Sequence, residues 1–206
     1  DRIGAGTSIG YRSAITATFF RINANYSHTR DNQIYGTRYE GATSVVKAVD
    51  KSTESDSYRF FFDCSKGFDW LQATLRAFGG CNYSTSERLI DGTVYPFHSS
   101  IISFGLGGTI TPLSWLNLVL SGGWSWNTSR TDGSSDYQAT VRSASEKLKI
   151  NVYATKQLTF TASVEDNYNN LTARNRHAWF GDISAKLKLK HVDLELRLNN
   201  IFDQRQ

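Results

Sequence analysis

The chain has 206 residues, a net charge of +4, 13% aromatic residues and a mean hydropathy of −0.41. No apolar run approaches the ~20 residues that a membrane helix needs, which excludes a helical membrane protein. The basic residues are scattered rather than gathered with stacking aromatics on one platform, which argues against a nucleic-acid binder. A length near 200 residues suits one all-β domain, and prolines only at Pro96 and Pro112 leave room for long ladders.

Period-two alternation predicts strands over 3–11, 14–30, 36–49, 56–66, 69–86, 93–111, 115–129, 137–153, 157–169, 177–190 and 192–202. That is about eleven strands, within a range of ten to twelve, and no helical segment competes. The rhythm is clearest in Trp115-Leu-Asn-Leu-Val-Leu-Ser121, Leu158-Thr-Phe-Thr-Ala-Ser-Val164 and Val192-Asp-Leu-Glu-Leu-Arg-Leu198. Each run has one apolar and one polar face. Leu116, Leu118, Leu120, Leu194, Leu196 and Leu198 are expected together on a lipid-facing outer surface. A soluble sandwich that buries those faces between two sheets is the competing architecture.

Tight connections are expected at 11–13, 66–69, 112–114, 154–156 and 190–191, and longer polar loops at 30–33, 87–92, 130–136 and 169–175. Short turns on one rim and long loops on the other are the layout of an outer-membrane β-barrel, with periplasmic turns and extracellular loops. Hairpins that open at Trp70, Trp115, Leu158 and Val192 recur too loosely for a propeller or solenoid. Trp70 and Trp115 follow tight turns, whereas Tyr95, Trp124, Trp126, Tyr137 and Trp179 lie nearer the long loops. Two aromatic girdles would give that distribution.

The sequence offers no candidate catalytic, cofactor-binding or metal-ligating residue, and no substrate-binding residue can be assigned. Gly105-Leu-Gly107-Gly108 lacks the following helix that a phosphate loop requires. His28, His98, His177 and His191 lie on separate segments without ligand spacing, and no Ser sits in a Gly-x-Ser-x-Gly elbow. Cys64 and Cys81 are expected to be free thiols. A tight hairpin near 67–69 would set Cys64 opposite position 72 or 73, far from Cys81.

The tail Val192-Asp-Leu-Glu-Leu-Arg-Leu-Asn-Asn-Ile-Phe-Asp203 resembles a late strand of TonB-dependent receptors, in which an alternating run ends in Asn-Asn-[Leu/Ile]-Phe-[Asp/Asn]. The matching residues are Asn199, Asn200, Ile201, Phe202 and Asp203. Ser65-Lys-Gly-Phe-Asp-Trp-Leu71 and Asp166-Asn-Tyr-Asn-Asn170 resemble hairpins of the same barrels. The resemblance implies an antiparallel up-and-down transmembrane barrel in the outer membrane of a Gram-negative bacterium, with 22 strands and an N-terminal plug in the intact protein. It implies active uptake of a siderophore, vitamin, glycan or peptide, without covalent chemistry. The partners implied are outer-membrane lipid, an inner-membrane energy-transducing TonB complex reached through the plug, and a surface lipoprotein. Neither plug nor final aromatic strand is in this sequence, so residues 1–206 are expected to be one barrel region cut at both ends. A smaller porin-like or adhesin barrel and a secreted carbohydrate-binding sandwich are the alternatives.

Overall fold

The structure, a computed structural model, describes residues 1–40, 43–90, 92–133, 137–171 and 176–202, with backbone alone at 37–40, 43–45, 47 and 137. Ten strands follow one another: β1 (Arg2–Ser13), β2 (Thr18–Glu40), β3 (Thr43–Phe68), β4 (Ala73–Ile90), β5 (Thr93–Leu113), β6 (Leu116–Thr131), β7 (Tyr137–Tyr153), β8 (Leu158–Asn169), β9 (His177–Lys188) and β10 (Asp193–Leu198). They form one antiparallel up-and-down sheet in the order β1 to β10. The sheet is open. Among the described residues β1 pairs only with β2 and β10 only with β9, so no barrel closes.

Three of the expected strands, over 14–66, are in fact two. The polar stretch at 30–33 does not leave the sheet as a loop: β2 and β3 stay paired past it, with a register shift between Asp31 and Gln33. A ladder in solvent needs no apolar alternation, because its backbone bonds hold while both faces stay wet. The bulge bends the hairpin tip, and Gly36 and Thr37 then pair in parallel with Leu89 and Ile90 of β4. A Cβ on Gly36 would lie 2.6 Å from the Leu89 Cβ, so the close approach depends on glycine.

The connections fall on two rims. One rim, here the turn rim, holds 14–17, 69–72, 114–115, 154–157 and 189–192. At the other, the loop rim, lie the facing ends of β2 and β3, β4 and β5, β6 and β7, and β8 and β9. The expected sorting by length is half present. The strands run through 87–90 and 130–131, so only residues 91–92 separate β4 from β5, and only the last two loop-rim connections have more than two residues. Residues 134–136 and 172–175 lie outside the described residues.

The final strand ends at Leu198 rather than 202. Asn200 turns the chain with φ 51°, and its N–H donates to Asp182 Oδ1 at 2.9 Å. The Ile201 N–H donates to the Gly181 carbonyl at 2.8 Å, which lays Ile201 and Phe202 over that glycine. Asp203, the last residue of the receptor-like motif, lies outside the described residues.

Among the described residues the buried apolar side chains are Ile34, Ala73 and Leu89. The accessible surface is 14638 Å². A folded monomer of this mass, 23.1 kDa, exposes about 9,700 Å². One sheet with two bare faces explains the excess of about 5,000 Å². Among the described residues no second sheet covers either face, so the sandwich arrangement is not the one found.

Candidate functional site

The ladder register assigns every strand residue to one of two faces, because directly opposed residues share a face and neighbours in sequence do not. One face is apolar. It carries Phe20, Ile22 and Ala24 of β2, Phe60 and Phe62 of β3, Ala73, Leu75 and Ala77 of β4, and Ile102, Phe104 and Leu106 of β5. It continues through Leu116, Leu118 and Leu120 of β6, Leu148 and Ile150 of β7, Phe160 and Val164 of β8, Ile183 of β9, and Leu194, Leu196 and Leu198 of β10. The six leucines singled out in the sequence therefore share one face. Their common placement follows from the register; that this face is an outer one is a separate matter.

The opposite face is mainly polar, although Phe19, Phe61, Phe78, Ile101, Val119 and Phe180 also lie on it, and several of its charges are paired. Arg76 grips Asp63 through two bonds of 2.8 Å. Lys147 reaches Glu165 at 3.1 Å, and Lys186 reaches Asp193 at 3.1 Å. A hydrogen-bonded ladder crosses four strands. Asn117 donates to Thr111 at 3.1 Å, Asn151 to Asn117 at 3.0 Å and Thr161 to Asn151 at 3.0 Å. Ser125 and Ser143 bond at 2.8 Å. Such a face satisfies its own groups and still presents hydroxyls and amides to water.

Aromatic residues mark the loop-rim border of the apolar face. Tyr26 and Tyr58 lie 5.0 Å apart between ring centroids, Tyr58 and Tyr83 6.4 Å, and Tyr83 and His98 6.3 Å. Phe104 stacks on Trp124 at 5.9 Å, and the Trp124 indole N–H donates to Glu146 at 3.1 Å. Trp126, Tyr168 and Trp179 continue the border. The sequence named Trp124, Trp126 and Trp179 for this girdle but missed Tyr26, Tyr58, Tyr83 and Tyr168. Tyr26, Tyr58 and Tyr83 each stand where their own face changes from apolar to polar, a signal that the register makes readable. Tyr95 is on the polar face, and the Tyr137 side chain lies outside the described residues. Trp70 and Trp115 sit in turns of the turn rim, as expected.

Three of the four histidines stand beyond that border, each against a carboxylate. His28 meets Asp56 at 3.0 Å, His98 meets Asp132 at 3.2 Å and His177 meets Asp166 at 2.8 Å. The Tyr26 hydroxyl also donates to Asp56 at 2.7 Å, and with His28 it holds that carboxyl below the usual aspartate range.

Cys64 and Cys81 are free thiols, as expected, although the register differs. The 69–71 segment is a short 3-10 turn that lengthens the hairpin, so Phe68 faces Ala73 and Cys64 faces Ala77 rather than 72 or 73.

A groove of about 970 Å³ crosses the apolar face from Phe20 to Trp179. Its lining includes the small residues Cys64, Ala77, Gly108 and Gly122 beside the larger Leu75, Leu106 and Leu120. Neither a family model nor a curated protein matches the chain.

Proposed function

We propose that the chain is a wall of an outer-membrane β-barrel of the TonB-dependent receptor kind. The intact receptor would take up a nutrient such as a siderophore, vitamin, glycan or peptide, driven by an inner-membrane transducer. The observation that carries the barrel wall is the division of one uncovered sheet into a mainly apolar and a mainly polar face. Lipid is the solvent that suits the first, and a water-filled lumen suits the second. The receptor family rests on a narrower support, the Asn199-Asn200-Ile201-Phe202 segment after an alternating strand. In this reading the chain does no covalent chemistry.

The two native thiols test the wall without mutation, since both lie on the apolar face. In phospholipid vesicles Cys64 and Cys81 should resist an impermeant maleimide and react after solubilisation in denaturant. A chain that stays monomeric in detergent-free buffer, with both thiols open to the reagent, overturns the proposal. The groove favours a second reading, a surface that holds one elongated apolar ligand. That outcome would appear as a water-soluble protein that binds a fluorescent fatty acid.

A further inference from the structure

The apolar belt does not run parallel to the hydrogen-bonded rows of the sheet. One row passes through Phe20, Cys64, Ala77, Leu106, Gly122, Glu146, Asp166 and Trp179, each directly opposite the next. In β2, Phe20 is the belt residue nearest the turn rim: Thr18 precedes it on the same face, and Ile22, Ala24 and Tyr26 follow. In β5, Leu106 is central, flanked by Gly108 and Ile110 on one side and Phe104 and Ile102 on the other. In β9, Trp179 is the last belt residue before the loop rim, with Gly181, Ile183, Ala185 and Leu187 below it. The row enters the belt at its lower border and leaves at its upper one.

The ends of the belt lie six positions apart in β2, from Phe20 to Tyr26, and eight apart in β9, from Trp179 to Leu187. It therefore slips by that much over seven strands, about one residue per strand. With a rise of ~3.3 Å per residue and a strand spacing of ~4.8 Å, that slip corresponds to a tilt of roughly 35°. Closed membrane barrels tilt their strands by ~35–45°. The same slope explains where the charges of this face lie. Glu146 and Asp166 are mid-strand, yet they stand on the upper border, beside Trp124 and Trp179. Lys66 stands near the lower border, bonded to Thr18 Oγ1 at 3.0 Å and to the Thr16 carbonyl in the β1–β2 turn.

We infer that the strands cross a bilayer obliquely, and that this one row of residues runs from one lipid–water interface to the other. Phe20 would lie at the turn-rim interface, Leu106 near the midplane, and Trp179 at the loop-rim interface with Glu146 and Asp166. The inference rests on the barrel-wall reading and adds to it a depth for each residue. It also accounts for two acidic side chains that adjoin the apolar belt, since at the interface they keep their water.

The test places one nitroxide at a time at Phe20→Cys, Leu106→Cys or Trp179→Cys, in the chain carrying Cys64→Ala and Cys81→Ala and reconstituted in phosphatidylcholine vesicles. Ser103→Cys on the polar face serves as the wet control. The ratio of oxygen to polar nickel-chelate relaxation should be several-fold higher at Leu106 than at either end of the row. Ascorbate added outside the vesicles should reduce the label at only one end. Three labels of equal high ratio would overturn the oblique crossing while leaving membrane insertion intact. Three labels as wet as Ser103 would overturn the barrel wall itself. Should a labelled variant fail to insert, tryptophan quenching by brominated lipids in the unmutated chain supplies the second measurement. Trp124, Trp126 and Trp179 should be quenched most by bromines near the headgroup, and stronger quenching by bromines at the chain ends would contradict the inference.

Discussion

Leu118 and Asn117 are neighbours in sequence that lie on opposite faces, and they make the sharpest single-residue test of those faces. In a bilayer, Leu118→Arg should cost ~2–4 kcal/mol if it lies near the midplane, read as a shift in denaturant unfolding from vesicles. Asn117→Arg should cost about 1 kcal/mol, because it breaks the hydrogen bonds to Thr111 and Asn151 but buries no charge. Equal penalties would mean that the two faces meet the same solvent. At the loop rim the expectation concerns acid. The Asp56 carboxyl is held below its usual value by Tyr26 and His28, so its contribution to stability is present above about pH 4. It is lost as the pH falls through the lowered value. Tyr26→Phe should raise that carboxyl toward the ordinary range, so stability near neutral pH should fall and the part lost on acidification should shrink. An unchanged acid limb would show that the tyrosine bond does not matter.

Among the strands, β2 and β3 are the longest, with 23 and 26 residues, while ~9–11 residues cross a bilayer. The surplus forms an arm beyond the bulge at Asp31, docked on β4 through Ile34, Gly36 and Leu89. Gly36→Val would drive a side chain into Leu89, where no room exists. It should free the arm, so that limited proteolysis cuts within 33–50 while the remaining strands stay protected. Resistance equal to that of the unmutated chain would show that the arm does not need this contact. The sequence made strands legible where one face is apolar: 93–111 and 137–153 agree with β5 and β7 to within two residues. It failed at 30–33, where polar residues on both faces look like a loop although the backbone ladder continues. The turn at 69–72 was misjudged for a different reason. A left-handed Gln72 with φ 45° and a 3-10 turn carry no glycine signal, so the hairpin register was set four residues too short. The faces were readable from alternation alone, but the oblique belt was not, because it exists only once all strand registers are known.

For the molecule as a whole, the surplus surface and the two free edges pose one question. Edge strands offer unpaired N–H and C=O groups, which hydrocarbon cannot satisfy. A membrane-inserted wall must therefore pair β1 and β10 with something. The belt's slope limits the ways this can happen. Continued past β10 at about one residue per strand, the belt would meet a β1 strand with Leu196 opposite about Thr7, whether that strand belongs to the same copy or to a second one. Cross-strand partners stand ~4.5–5.5 Å apart at Cα, within disulfide range. A chain with Thr7→Cys and Leu196→Cys, lacking the native thiols, would thus record closure as a cross-linked monomer and edge pairing between copies as a cross-linked dimer. Neither is expected under the proposed receptor reading, in which other strands of a larger barrel would stand between these edges. A cross-linked monomer, formed in high yield under mild oxidation in vesicles, would instead show that ten strands close by themselves. That result would replace a receptor wall with a small complete barrel.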